Sequence, residues 1–194
     1  MTNASPIRER IAPYMARRWL VVYGYLAVLL IATPNLPLVI DWARAIWKYE
    51  AVAGFVLGVE IAIGIALILL AGAIFFLNRQ RFAWCILPLS AVIGASGLFF
   101  YLNPNPYELT HLPEYAVLSV LIMGAVRERE DKAGDHVHGR ALYVRAAVIT
   151  VIFGAIDELY QGALPMRFFN VYDIFLNGAG GILGLTIFWG VERR

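Results

Sequence analysis

Six apolar runs, each close to the length that crosses a lipid bilayer, constrain the fold of this chain more than any single motif. They read roughly Trp19–Ile40, Val52–Leu77, Phe82–Leu102, Leu109–Val126, Ala141–Tyr160 and Val171–Val191, the first broken by Pro34 and Pro37. A helix needs about 20 mainly apolar residues to traverse the hydrocarbon core. Inside lipid every backbone N–H and C=O must find a partner within the protein, which leaves helices or closed barrels. Continuous runs select the helix, because barrel strands alternate apolar and polar residues over about ten positions. Composition agrees: 60% of the 194 residues are hydrophobic and 15% are charged, against about 45–50% and 25% in a soluble domain. The expected fold is an all-α, polytopic transmembrane helix bundle of about six spans, forming a single domain over residues 1–194.

Other features narrow the function classes. A net charge of +2, scattered along the chain, argues against a nucleic-acid partner. Cys85 is the only cysteine, so no internal disulfide forms. The first apolar run follows Arg8, Arg10, Arg17 and Arg18, as in a signal peptide. No small-x-small cleavage pattern follows it, and it is read as a membrane anchor. Trp19, Trp42, Trp47, Trp84 and Trp189 mostly fall near span ends, as an aromatic belt does.

Lysine and arginine collect on the cytoplasmic side of membrane proteins. With six spans and both termini in the cytoplasm, twelve of the sixteen basic residues lie on inside segments. Only Arg44, Lys48 and Arg167 lie outside, and Arg145 sits near the inner end of the fifth span. The same topology puts the unusual polar residues at one depth. His111 and Glu114 open the fourth span from outside, Asp157, Glu158 and Gln161 close the fifth there, and Asp173 and Asn177 open the sixth. Glu60, two turns into the second span, is also in the outer half. It either pairs with this set, Arg167 being one partner, or stays protonated.

Ionisable side chains at membrane depth are costly and usually face a bundle interior or a water-filled cavity. Asp157 and Glu158 stand at a helix C-terminus, where the dipole disfavours negative charge. They need a cation, a metal, or protonation of one acid. Adjacent helical residues point about 100° apart, so one acid can reach solvent while the other faces the bundle. Gln161 shares a face with either. Arg167 is the counter-charge in a short apolar connection that dips into the interface or folds back over the bundle. Its planar fork either clamps Asp157 or Glu158 or binds an anionic headgroup. Asn170 and Asp173 match a reciprocal helix cap, which does not exclude a functional role. His111, Glu114, Asp157 and Glu158 together offer metal-ligand chemistry, but no repeated Glu-x-x-His pair is present, and a metal is not assigned. Gly180 and Gly184 give a Gly-x-x-x-Gly spacing suited to close helix packing. His136 and His138 are expected to be solvated in a charged loop, Arg127–Arg140.

The ordered set Asp157-Glu158-x-x-Gln161, Arg167, Asp173-x-x-x-Asn177-x-x-Gly180-x-x-x-Gly184 resembles the signature of the VanZ-like family of small bacterial membrane proteins. The span start His111-x-x-Glu114-Tyr115 resembles a second motif often seen there. The resemblance covers about residues 107–191 and departs at Glu108, where many members carry a lysine. It implies a multi-pass protein of the bacterial cytoplasmic (inner) membrane. It also implies a link to the cell envelope and to glycopeptide antibiotic resistance, the family being named for a protein that gives low-level teicoplanin resistance. It implies no reaction and no cofactor.

The leading expectation is an outward-facing polar site that binds, or also alters, an anionic amphiphile such as a lipid-linked cell-envelope precursor or a glycolipid. Asp157, Glu158, His111 and Glu114 are the candidate acid–base residues, and Gln161, Arg167, Asp173 and Asn177 the candidate binding residues. Expected partners are membrane lipids, then an envelope precursor or glycopeptide, and another membrane protein. The alternative is a non-enzymatic membrane subunit or modulator whose polar cluster is a helix-packing network. A transporter fits less well, because the polar groups gather on one side and do not line a path across the bilayer.

Overall fold

The computed structural model describes residues 6–46, 72, 76, 79–102, 110–133, 139–164 and 167–192. Among these the chain is all-helical, with five long helices and no strand. They are α1 (Pro6–Ile46), α2 (Arg79–Leu102), α3 (His111–Ala133), α4 (Gly139–Gly162) and α5 (Val171–Val191). The expected second span and Glu60 within it lie outside the described residues, as do His136 and His138.

Helices α2 to α5 fall on the last four expected spans, and α5 has the expected bounds. Two expectations change. The first span is not broken at Pro34 and Pro37, for α1 runs through both as one helix of 41 residues. Each proline removes one N–H from the ladder, yet membrane helices tolerate this when freed carbonyls find other donors. The carbonyls left without their usual donors are those of Leu30 and Thr33; the Asn35 Nδ2 bond to the Ile31 carbonyl at 2.6 Å is a separate contact in the same stretch. The charged segment after Val126 is also not all loop, because α3 continues to Ala133. Ion pairs hold this extension. Arg18 meets Glu128 at 2.5 Å, Arg127 pairs with Glu192, and Arg145 pairs with Glu130. These pairs are partly exposed, so each contributes at most about 1 kcal/mol. They put the start of α1, the end of α3, the start of α4 and the end of α5 at one basic-rich end of the bundle.

Helix α3 is the centre. It packs against α1, α4 and α5, while α2 packs on α5. Tyr115, Leu118, Ile122, Met123, Ala125 and Val126 are buried on several sides of it, as expected of a helix surrounded by neighbours. Its buried Ser119 satisfies its hydroxyl on the Ala116 carbonyl of its own helix at 2.9 Å. The Gly180–Gly184 stripe does the packing that its spacing predicts. A Cβ at Gly180 would lie 2.6 Å from the Leu112 carbonyl oxygen, and one at Gly184 would overlap the Ala116 carbonyl and the Ser119 hydroxyl. The α5 backbone therefore lies directly on α3, and this contact fixes where Asn177 stands relative to His111.

Among the described residues two helices, α4 and α5, are long and apolar enough to cross a membrane. Their surfaces are inverted relative to a water-soluble bundle. On α4, Val148, Val151, Ile152, Ile156 and Leu159 face outward, while Thr150, Asp157, Glu158 and Gln161 are buried. An apolar exterior around a polar interior is stable in lipid, whereas in water it would expose a large adhesive patch. This is the architecture of a membrane protein.

Candidate functional site

The last turn of α4 supplies Asp157, Glu158 and Gln161; the first turns of α3 and α5 supply His111, Glu114 and Tyr115, and Asp173 and Asn177. All three helix ends meet opposite the basic-rich end. His111, Asp157, Glu158, Gln161, Asp173 and Asn177 are each buried, none more than 7% exposed. Glu114 and Arg167 are half-buried. The eight residues expected on one depth thus converge on one cluster, a step that spacing alone does not supply.

Both acids of the pair are buried, contrary to the expectation that one of the two would be free to reach solvent. The end of α4 is wedged between α3 and α5, and the connection after it folds back. A Cβ added at Gly162 would stand 2.8 Å from the Phe169 Cβ, and the backbone N–H of Asn170 donates to Glu158 Oε2 at 3.4 Å. No direction on α4 is left open to water at Asp157 or Glu158.

Each carboxylate is held on defined partners. Asp157 Oδ2 accepts from the Tyr115 hydroxyl at 3.1 Å and from Gln161 Nε2 at 3.1 Å. The same Gln161 nitrogen donates to Glu158 Oε1 at 3.3 Å. Asn177 Nδ2 reaches the Gly154 carbonyl at 3.4 Å. That contact needs glycine, since a Cβ at position 154 would come within 2.9 Å of Asn177 and 3.3 Å of the Tyr115 ring. The expected cap at α5 forms in part. Asn170 Oδ1 accepts from the Tyr172 N–H at 3.1 Å, while the Asn170 N–H turns to Glu158, so the cap is joined to α4.

Arg167 is the cation that faces this set, within electrostatic reach of His111, Glu114, Asp157 and Glu158. It clamps neither member of the acid pair: no direct ion pair joins it to them among the described residues, and its Nε is buried without a hydrogen-bond partner. Among the described residues His111 Nδ1, Asp157 Oδ1 and Asn177 Oδ1 are likewise buried without a partner at hydrogen-bond geometry, although Asn177 is the polar side chain that faces the His111 imidazole. One ligand-type atom from each of His111, Asp157 and Glu158 lies within 4.8 Å of the others. Glu114 stands beside this trio and is not part of it. Its backbone carbonyl accepts from the Tyr25 hydroxyl at 3.0 Å, which ties α1 to the site.

Sequence reasoning gave no role to Tyr115 or Gly154 and treated Asn170 only as a cap. The signal for Tyr115 was its place four residues after His111, on the same helix face. A cleft of about 600 Å³ lies elsewhere, lined by Trp19, Val126, Arg129, Glu130, Val144 and Arg145 at the basic-rich end. It touches none of the clustered acids, so this cleft and the polar cluster are at opposite ends.

Comparison with curated proteins and with solved structures gives no match. A family model described as VanZ/LLP1 matches residues 19–192. That span begins well before the motif region and takes in most of α1, all of α2 and every residue of the cluster. The chain belongs to the VanZ/LLP1 family.

Proposed function

We propose that the buried polar end binds the anionic headgroup of an amphiphile at the outer membrane leaflet, a lipid-linked cell-envelope precursor or glycolipid being the class that fits. The observation that carries this is Arg167. Its guanidinium faces the cluster, yet its Nε has no partner within the protein. A buried donor left unmade is expensive, and a phosphate or carboxylate is the natural complement of the fork. The apolar rim suits a lipid tail, since Phe168, Val171, Tyr172 and Phe175 beside Arg167 are exposed. His111 with Asp157 or Glu158 supplies acid–base groups next to that headgroup, and withholding a cell-envelope precursor would link the protein to glycopeptide (teicoplanin) resistance.

The test is binding of an anionic lipid to purified protein in nanodiscs. Arg167→Ala is expected to fold and to lose binding of phosphatidylglycerol-class headgroups relative to a zwitterionic control. Equal binding by wild type and Arg167→Ala would remove the reading.

A second reading has its own support. Tyr115–Asp157 and Asn177–Gly154 join α3, α4 and α5 by hydrogen bonds, as a packing network in a non-enzymatic subunit would. It predicts that Asp157→Asn and Asn177→Ala lose folded protein while Arg167→Ala has no phenotype.

A further inference from the structure

We infer that His111, Asp157 and Glu158 form a binding site for a divalent first-row transition ion. The sequence alone does not assign one, because the third and fourth ligands cannot be placed from spacing. Folding brings a donor atom of each residue within 4.8 Å of the other two. Ligands around an ion at bonds of about 2.0–2.2 Å stand roughly 3 to 4.4 Å apart, so a small inward movement closes the site.

Independent observations point to a ligand here and not merely to a crowd of acids. Asp157 and His111 are each only 4% exposed; among the described residues Asp157 Oδ1 and His111 Nδ1 have no partner at hydrogen-bond geometry, Asn177 being the polar side chain that faces the imidazole. The second oxygen of Asp157 is already fixed by Tyr115 and Gln161, which leaves Oδ1 as its free donor. Glu158 is oriented through both oxygens, Oε1 by Gln161 and Oε2 by the Asn170 N–H, and each oxygen keeps a second lone pair for a ligand bond. Outer partners that hold ligand carboxylates in one orientation are the supporting shell that metal sites use.

Charge and donor type choose the ion. Among the described residues Glu114, Asp157 and Glu158 share the field of Arg167, and Asp173 adds its charge beside Glu158, so a further positive charge relieves the repulsion between these acids. An imidazole nitrogen with two carboxylates suits Zn²⁺ and its neighbours, whereas Ca²⁺ and Mg²⁺ take oxygen donors alone. Three protein ligands leave a coordination position open, the pattern of a catalytic and not a closed structural site. In the headgroup-binding reading above, on which this last consequence rests, the open position and Arg167 would take the same phosphate from two sides.

Zinc is the probe. Wild-type protein in nanodiscs, stripped with chelator and titrated with Zn²⁺ against a chromophoric competitor, is expected to bind one ion per chain. Asp157→Asn, Glu158→Gln and His111→Ala are each expected to weaken binding by at least about 100-fold, and Gln161→Ala by about 10-fold. No stoichiometric zinc on folded wild type overturns the inference, as does wild-type affinity in the folded variants. Loss of a buried acid can cost the fold, so a measurement on wild type alone completes the test. Zinc X-ray absorption should show nitrogen and oxygen neighbours, and an oxygen-only shell overturns the site. Arg167→Ala separates the two readings: it should keep zinc and lose the lipid.

Discussion

The Tyr115 hydroxyl on α3 donates to Asp157 Oδ2 on α4 at 3.1 Å, and both residues are buried. This bond links the two motifs that lie 42 residues apart, and it occupies Oδ2 while Oδ1 of Asp157 has no hydrogen-bond partner among the described residues. Tyr115 also packs against the face of α5 that carries Gly180, so one side chain touches all three helices of the site.

Tyr115→Phe is expected to fold, because Gln161 still holds Asp157. Hydrogen bonds between membrane helices are worth about 0.6 kcal/mol and rarely above about 1.7. A double-mutant cycle of Tyr115→Phe and Asp157→Asn, read by unfolding in mild detergent, should give a coupling in that range. A coupling indistinguishable from zero would show that the bond contributes nothing to the fold.

The glycines of α5 should differ sharply from one another. Gly184→Ala puts a methyl group into the Ala116 carbonyl and the Ser119 hydroxyl, whereas Gly178→Ala meets nothing within 4 Å. Overpacking typically costs about 1–3 kcal/mol, and here the obstacle is backbone, which cannot turn aside. Thermal unfolding should show Gly184→Ala strongly destabilised and Gly178→Ala close to wild type. Equal melting of the two would contradict the α3–α5 contact.

Placement of the site on the outer leaflet is open to direct labelling. In a Cys85→Ala background, Ala163→Cys should react with a membrane-impermeant thiol reagent on intact cells. Arg140→Cys should react only after the membrane is opened. The reversed pattern would put the acids on the cytoplasmic face and move any envelope ligand out of reach.

Much of this was legible in the chain itself. Apolar run length dictated helices, because lipid offers the backbone no other partner, and α5 begins and ends where its run does. The Gly180–Gly184 spacing announced a close helix contact. The ordered acids, amide and arginine announced a family, and the family match bears that out. Local rules misread two places. Pro34 and Pro37 looked like breaks although α1 continues, and the charges after Val126 looked like a loop although ion pairs from α1, α4 and the end of α5 sustain the helix.

Tertiary structure decided the rest. Sequence periodicity says which residues share a face of one helix, and it carries no information on which faces of different helices meet. That is why the burial of both Asp157 and Glu158 was not foreseeable. A 100° offset lets one of them reach solvent, but α3, α5 and the returning chain at Phe169 and Asn170 close on both. The same convergence set His111 beside them, left Nε of Arg167 without a hydrogen-bond partner among the described residues, and gave Tyr115 its place. Sequence determined that a polar cluster must be sheltered from lipid; only the packing of three helix ends decided which of its described atoms are left without a hydrogen-bond partner.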